Sequence, residues 1–175
     1  FDVLWLSDTV RAAEVSMLAR LKGQYNDPQV RSAMLRTSLG ENHGKVCFYV
    51  LADVQAASHK GLDDASPLWH MVLIAPSGRS ISPATIKEIE LGPEYSAFFP
   101  ESILHYRTSY LVEFSTQDLS QEDRDRLQAR FALEFSSYKT KVRFTFGSLT
   151  SARDQEAVQT ERVGDFIPDE DYYWG

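Results

Sequence analysis

Histidine and cysteine are the side chains of this chain best suited to hold a metal, and there are few of them. No two of the four histidines have the i, i+4 spacing of a helical zinc motif, and the single cysteine, Cys47, has no second thiol to complete a tetrahedral site. His59 with Asp63 and Asp64 in one loop is the best metal-like cluster, but it offers too few oxygen ligands for a hard cation. We therefore predict no metal and no cofactor. The histidines are His43, His59, His70 and His105.

The sequence contains no motif typical of a nucleophilic or an acid–base catalytic site. Cys47 lies inside an apolar run, where a thiol usually fills the core, so we expect it to resist labelling in the folded protein. No serine lies in a Gly-x-Ser-x-Gly motif, and no glycine-rich phosphate loop follows a strand. Glu88 and Glu90 share one strand face, which is more typical of a solvated surface than of an acid–base pair. The sequence predicts a protein that is not an enzyme.

A local basic face is the first candidate binding surface. Lys139, Lys141 and Arg143 alternate along the last strong strand, and Arg107 from another strand could join them to form a platform for nucleic acid. Charged residues on the outer face of a half-buried strand are the simpler interpretation. The net charge of −7 and the pI of about 5.1 argue against nucleic acid as the main partner. We keep a nucleic-acid binder as the weaker alternative.

An acidic, aromatic tail over residues 148–175 is the second candidate surface. Its rings at Tyr172, Tyr173 and Trp174 need a surface to dock on, either on a partner protein or on the chain itself. We expect the tail to pack back on its own domain, chiefly through ring burial. The Lys139, Lys141 and Arg143 face is the predicted counterpart of its acids, which are Asp154, Glu156, Glu161, Asp165, Asp169, Glu170 and Asp171.

Residues 1–40 predict a helical hairpin. Ser7 or Asp8 can cap the first helix, which Gly23 ends. Asp27 followed by proline restarts the chain as a second helix, which ends at Gly40. The predicted apolar stripes are Val10, Ala13, Met17, Leu18 and Leu21 in the first helix and Val30, Ala33, Met34 and Leu35 in the second.

From Lys45 the apolar period changes from that of a helix to the two-residue period of a strand. Strands are predicted over 45–54, 68–75, 85–91 and 104–114, and a short helix over 121–129. Residues 85–91 have a helix capped at Ser82-Pro83 as the alternative, but their β-branched content favours a strand. A tight turn at 76–79 follows the second of these strands.

The clearest hairpin follows residue 130. Its apolar residues change from odd to even positions, which a two-residue loop at Ser136-Ser137 would produce while keeping both sets on one face. A bulge in one long strand is the alternative. We expect Phe144 to be buried. The odd set is Phe131, Leu133 and Phe135, and the even set is Tyr138, Val142, Phe144 and Phe146.

These elements predict a mainly β (α+β) fold in a single domain, 1–175. It comprises a helical hairpin (1–40), a β-sandwich-like core with one short inserted helix (45–147) and the tail (148–175). An α+β sheet with helices on one side stays open.

In general outline, residues 45–147 resemble the β-sandwich modules of bacterial surface or periplasmic lipoproteins. The resemblance implies an envelope protein that binds or assembles, held by a lipid anchor upstream of Phe1. The leading hypothesis is a non-catalytic protein-interaction or structural domain with a protein partner and no nucleic acid. A small enzyme with a site assembled from dispersed residues is the main alternative. The candidate partner-binding residues are Trp174, Tyr172, Tyr173, Lys139, Lys141 and Arg143.

Overall fold

A computed structural model describes residues 1–52, 61–63, 68–100, 107–117, 119–127 and 129–147, together with the backbone of 159–162. Two antiparallel sheets and three α-helices make up the described part, which confirms the mainly β, α+β fold. In chain order the elements are β1 (Asp2–Trp5), α1 (Asp8–Leu21), α2 (Pro28–Gly40), β2 (Lys45–Ala52), β3 (His70–Ile74), β4 (Ser80–Ile81), β5 (Thr85–Ile89), a 3-10 helix (Pro93–Ala97), β6 (Thr108–Ser115), α3 (Gln121–Arg126), β7 (Arg130–Ser136), β8 (Thr140–Gly147) and β9 (Gln159–Arg162).

The two sheets pack their apolar faces together as a sandwich. The first sheet has the order β1-β2-β6-β5, and the second has the order β4-β3-β7-β8-β9. Because side chains alternate along a strand, Phe48 and Phe114 of the first sheet and Phe131 and Phe135 of the second all enter the layer between them. The Phe48 ring lies 5.9 Å from the Phe114 ring and 6.0 Å from the Phe131 ring. This aromatic layer is the main core.

Helix α1 lies on the other face of the first sheet. Leu6, Cys47, Tyr49, Leu51 and Phe99 are buried in this second apolar cluster, whereas the even-numbered residues of β2 face the sandwich. The domain therefore has three layers: helix, first sheet and second sheet.

The predicted helix ends are confirmed by their caps. The Ser7 hydroxyl accepts a hydrogen bond from the Val10 amide, and the Asp27 carboxylate accepts from the amides of Gln29 and Val30. Pro28 occupies the first turn of α2, where its missing N–H costs nothing. Likewise Ser120 caps α3, which is shorter than predicted.

Both predicted helices of residues 1–40 are present, but a strand that the sequence did not indicate lies before the first of them. Asp2–Trp5 forms β1, which pairs with β2 in the register Asp2 to Leu51 and Trp5 to Phe48. Val3 and Trp5 pack on the core, and the Trp5 ring lies 4.9 Å from the Phe131 ring. Four residues are too few for a period to show, so tertiary packing alone identifies this strand.

The predicted apolar stripe of α1 is also wrong. The buried residues of this helix are Arg11, Glu14, Val15 and Ala19, whereas the Leu21 side chain is 63% exposed. The helix is rotated so that a charged pair faces the sheet.

The β7–β8 hairpin has the predicted parity but a different loop. Ser136 pairs with Lys141, so the two-residue loop is Tyr138-Lys139 rather than Ser136-Ser137. The Ser137 hydroxyl accepts hydrogen bonds from the amides of Lys139 and Thr140, which fixes the turn there. A shift of two residues keeps every side chain on its predicted face, but it leaves Tyr138 83% exposed.

Phe144 faces the core as its parity predicted, but it is only partly buried. Its ring packs edge-on against Phe135 at 5.8 Å between centroids. In the tail, Gln159–Arg162 pairs with β8 as β9. Tyr172, Tyr173 and Trp174 lie outside the described residues.

Candidate functional site

A cleft in the described structure opens beside the start of α1. Its volume is about 550 Å³, and it lies between the first turn of α1, the end of α2 and the starting ends of β2 and β7. Trp5, Leu6, Val46, Leu127 and Phe131 give it an apolar lining. Such a concave cleft, lined by both apolar and polar groups, is where chemistry would be expected.

Several polar groups on this rim are already engaged within the protein. The Asn42 amide nitrogen donates to the Leu6 carbonyl oxygen at 2.9 Å and to the Asp8 carboxylate at 3.0 Å. Lys45 Nζ lies 3.1 and 3.0 Å from the two carboxylate oxygens of Glu113. These contacts hold neighbouring segments of the chain together, so the groups are not available to bind a ligand.

Arg124 behaves in the same way. Its Nη1 donates to the carbonyl oxygens of Thr116, Gln117 and Leu119, the closest at 2.9 Å. The guanidinium thereby holds the loop between β6 and α3.

Two potentially reactive side chains remain in the cleft. The His43 imidazole is exposed and makes no side-chain hydrogen bond to any residue that the structure describes. The Cys47 side chain is 1% exposed, and burial raises the pKa of its thiol, so little thiolate forms at neutral pH. A base without a positioned nucleophile does not constitute a catalytic pair.

A buried polar network lies beneath α1. Glu14 Oε1 accepts hydrogen bonds from the hydroxyls of Tyr49 at 2.8 Å and Tyr95 at 2.7 Å. Arg11 Nη1 lies 2.9 Å from Glu41 Oε2 and 3.5 Å from Glu14 Oε2. Arg11 and Glu14 are 4% and 5% exposed, so each charge depends on these partners.

The electrostatics of this network suit structure rather than catalysis. Burial, reinforced by the adjacent Glu14 carboxylate, raises the pKa of Tyr49 to about 12. Burial and the hydrogen bond to Glu14 raise the pKa of Tyr95 as well. Both hydroxyls therefore stay protonated at neutral pH and act as donors that fasten α1 and the 3-10 helix to the first sheet.

Sequence reasoning missed this network. Arg11 and Glu14 are three residues apart on a helix, a spacing that usually marks a solvated ion pair. Only the position of the helix on the sheet shows that they are buried.

The predicted basic face is partly assembled on the outer side of the second sheet. Lys141 Nζ lies 2.8 Å from Glu134 Oε1, and Arg143 Nη2 lies 2.6 Å from Glu134 Oε2. Lys139 lies in the adjacent loop, with its Nζ 5.1 Å from the centre of the Tyr138 ring. Arg107 instead pairs with Asp2 of the first sheet, so the structure does not bring it to this face.

Glu134 changes the character of that face. Burial is the largest influence on its carboxyl and acts to raise the pKa, but hydrogen bonds from Lys141 and Arg143 outweigh it, so the pKa is lowered. One carboxylate therefore already neutralises part of the positive charge.

A second cationic surface, which the sequence did not single out, lies at the far end of the helical hairpin. We define residues 17–36 as the distal hairpin; it carries four Lys and Arg residues against one acid, whereas the whole chain carries −7. The guanidinium carbons of Arg20 and Arg31 lie 4.6 and 5.3 Å from the centre of the Tyr25 ring. A hydrogen bond from Arg20, with the charges of Arg20 and Arg31, lowers the pKa of Tyr25. Leu21 is exposed beside them.

The remaining candidates add no site. His59, Asp64 and His105 lie outside the described residues, and Glu88 and Glu90 are exposed. Within the described ranges, no group of three or more His, Cys, Asp or Glu side chains is placed to hold a metal ion. The helices in those ranges are also too short or too polar to cross a membrane.

Comparison of the chain with protein-family models, with curated proteins and with solved structures gave no match. The functional interpretation therefore depends on the residues and their geometry.

Proposed function

We propose that this chain is a non-catalytic protein-interaction or structural domain. The observation that carries the proposal is the state of the cleft beside α1, where Asp8, Asn42, Lys45 and Arg124 are all engaged by other groups of the protein. Catalysis needs polar groups that converge on a substrate and are free to exchange protons or stabilise charge. Because these four side chains are already engaged, the exposed His43 is left without their help in building a catalytic site.

The distal hairpin supports a role in binding. Tyrosine and arginine are among the residue types that dominate the energetics of protein interfaces, and here the guanidinium groups of Arg20 and Arg31 both pack against the Tyr25 ring. A ring already fixed in one orientation loses little freedom when a partner covers it. The neighbouring Leu21 adds exposed apolar surface.

The partner proposed for this surface is a protein with an acidic, partly apolar contact region. Cations steer such a partner to the hairpin, and Leu21 and Tyr25 supply area that can be buried. The basic strand face supports nucleic-acid binding less well, because Lys141 and Arg143 share Glu134 and have less net charge to replace counterions. The tail residues Tyr172, Tyr173 and Trp174 stay a predicted contact.

Attachment to a bacterial envelope by an upstream lipid is a further part of the proposal, supported only by the outline resemblance. Fatty-acid labelling of the full gene product in growing cells tests it. Incorporation into this protein, lost when the cysteine of a lipid-attachment signal is replaced, is the expected result.

Site-specific photo-crosslinking in living cells tests the interaction role. A photoreactive amino acid replaces Leu21 in one protein and Tyr138 in a matched control, because both side chains are exposed but belong to different elements. We expect one discrete protein adduct from position 21 and none of the same mass from position 138.

Loss of that adduct in an Arg20→Glu, Arg31→Glu background would show that it depends on the charge of the hairpin. Identical adducts from both positions, or no adduct from either, would contradict the proposal. An enzyme would instead be indicated if His43→Ala abolished the cellular role and the hairpin variants did not.

A further inference from the structure

Among the residues that the structure describes, the cations of the distal hairpin have no acidic partner. Lys141, Arg143 and Lys45 each lie within 3.1 Å of a carboxylate oxygen. By contrast, no residue that the structure describes supplies a carboxylate to the hairpin cations, which are Arg20, Lys22, Arg31 and Arg36. A cluster of like charges beside the exposed Leu21 side chain has both an electrostatic and an apolar reason to be covered.

The end of the same chain has the complementary chemistry. Residues 163–175, called here the C-terminal segment, contain four acids and no Lys or Arg. They also hold five large apolar or aromatic residues whose burial would be favourable. The acids are Asp165, Asp169, Glu170 and Asp171, and the apolar and aromatic residues are Phe166, Ile167, Tyr172, Tyr173 and Trp174.

Strand register places the start of this segment at one end of the sandwich. Arg162 pairs with Thr140, which follows the β7–β8 loop. The Phe1 ring stacks on Phe135 near the end of β7, with 4.2 Å between centroids. The segment therefore leaves the sheet at the end of the sandwich where β1 begins.

The distal hairpin lies at that same end. Helix α1 starts at the opposite end, where the Leu6 amide donates to the Cys47 carbonyl oxygen at 2.9 Å. The end of α2 returns to that point, since Asn42 contacts Leu6. The 14 residues of α1 span about 21 Å, which is roughly the length of β2. The loop of the hairpin therefore lies near the end of β2, where Leu51 pairs with Asp2 at the start of β1.

The distance is within reach. The 13 residues after Arg162 extend to about 43 Å at most, and crossing two layers of about 10 Å each takes about half of that. We propose that the acidic C-terminal segment docks on the distal hairpin of its own chain, with its carboxylates on Arg20, Lys22 and Arg31 and its rings beside Leu21 and Tyr25. This replaces the sequence-based choice of the basic strand face, because Glu134 already occupies two cations there.

The docking of the C-terminal segment does not depend on the proposed function, but its effect on partner binding rests on that function. If the distal hairpin is the partner surface, the docked segment covers it, and a partner has to displace the segment in order to bind. The segment then acts as an internal competitor that lowers apparent affinity.

Zero-length carbodiimide crosslinking of the full chain, mapped by mass spectrometry, tests the docking. This reagent joins an amine to a carboxylate in direct contact, and Lys22 is the reporter amine of the distal hairpin. The adduct between Lys45 and Glu113, which are in contact at 3.0 Å, monitors both the reaction and the fold. We expect Lys22 to be joined to Asp165, Asp169, Glu170 or Asp171 in a yield that does not change on dilution.

The variant Arg20→Glu, Arg31→Glu should reduce that yield roughly tenfold and leave the Lys45–Glu113 adduct in place. The variant Lys139→Glu, Lys141→Glu is the matched control and should leave the Lys22 adduct unchanged. The wild-type result tests the docking even if a variant fails to fold.

Adducts of the C-terminal segment to Lys139 or Lys141, adducts whose yield rises with protein concentration, or a missing Lys22 adduct beside an intact Lys45–Glu113 adduct would overturn the docking. Any of these results would leave the Leu21 photo-crosslink, and so the proposed function, open to its own test.

Discussion

The two sides of β2 face layers of opposite character. Towards the second sheet, Phe48 and Val50 enter a layer of aromatic and aliphatic side chains. Towards α1, Cys47 and Tyr49 enter a layer that also contains the buried charges of Arg11 and Glu14. The first layer gains stability from area removed from water and accepts many packings, whereas the second works only if every polar partner is in place.

The two layers have different roles: one forms the core of the fold, and the other fixes the position of α1 on the first sheet. The sandwich layer needs only alternating apolar residues. The helix layer fixes the register of α1 on the sheet, because Glu14 has to meet the hydroxyls of both Tyr49 and Tyr95. The position of the hairpin, and so of its cationic end, follows from this network.

The largest effect is expected from breaking the sandwich layer. Phe48→Ala removes a fully buried ring and should lower the free energy of unfolding by about 4 kcal/mol, measured by urea denaturation. Phe144→Ala is the control; its ring is only partly buried, so we expect about 2 kcal/mol. Equal losses from the two substitutions would contradict the core described here.

A slightly smaller loss should follow from breaking the helix layer. Glu14→Ala removes one of the two carboxylates beside Arg11 and leaves two tyrosine hydroxyls without their acceptor, so we expect a loss of about 3 kcal/mol. Glu14→Gln keeps an oxygen for the hydroxyls and should lose less. Hydrogen exchange should quicken in α1 more than in β7; uniform quickening would show that the two layers are not separable.

The contribution of the Tyr49 hydroxyl to stability should depend on pH in the alkaline range. Tyr49→Phe removes one hydrogen bond to a buried carboxylate and should cost about 1.5 kcal/mol at neutral pH. The pKa of Tyr49 is about 12 in the folded protein against 10.0 normally, so the unfolded chain ionises first and wild-type stability falls as pH rises above 10. The variant has no hydroxyl at this position to ionise. The difference in the free energy of unfolding between the wild type and the variant should therefore disappear between about pH 10 and 12. A gap that stays constant would place Tyr49 outside the network.

The smallest effect is expected on the outer face of the second sheet. Glu134→Gln should cost roughly 1 kcal/mol at neutral pH, since Lys141 and Arg143 are 40% and 49% exposed and solvent screens the pairs. The pKa of Glu134 is lowered from 4.5, so this contribution is present above that pH and fades as pH falls through the folded value. Glu122→Gln, at an exposed pair with Arg126, is the control and should show almost no change. A larger loss at low pH than at neutral pH would contradict this account.

The sequence predicted most of the sandwich because alternation and caps are local signals. Ser7, Asp27 and Ser120 cap the helices as expected, and Tyr110, Val112 and Phe114 face the core as their spacing indicated. The β7–β8 loop was displaced by two residues because parity fixes the faces of a hairpin but not its register.

The polar features could not be predicted in this way. Whether Arg11 and Glu14 are buried depends on which side of α1 meets the sheet, and a helix whose apolar residues are spread around its circumference does not specify that side. The Tyr25 cluster depends on the approach of Arg20 and Arg31 from two different helices, which no spacing along the chain encodes.

The central claim is that the distal hairpin serves binding and contributes little to folding. The most direct measurement compares thermal stability and photo-crosslinking at Leu21 in the wild type and in Arg20→Glu, Arg31→Glu. Both arginines are exposed, so the melting temperature should stay nearly unchanged while the partner adduct disappears. A protein that melts markedly lower yet keeps its adduct would show that the cationic end of the hairpin stabilises the fold and does not bind the partner.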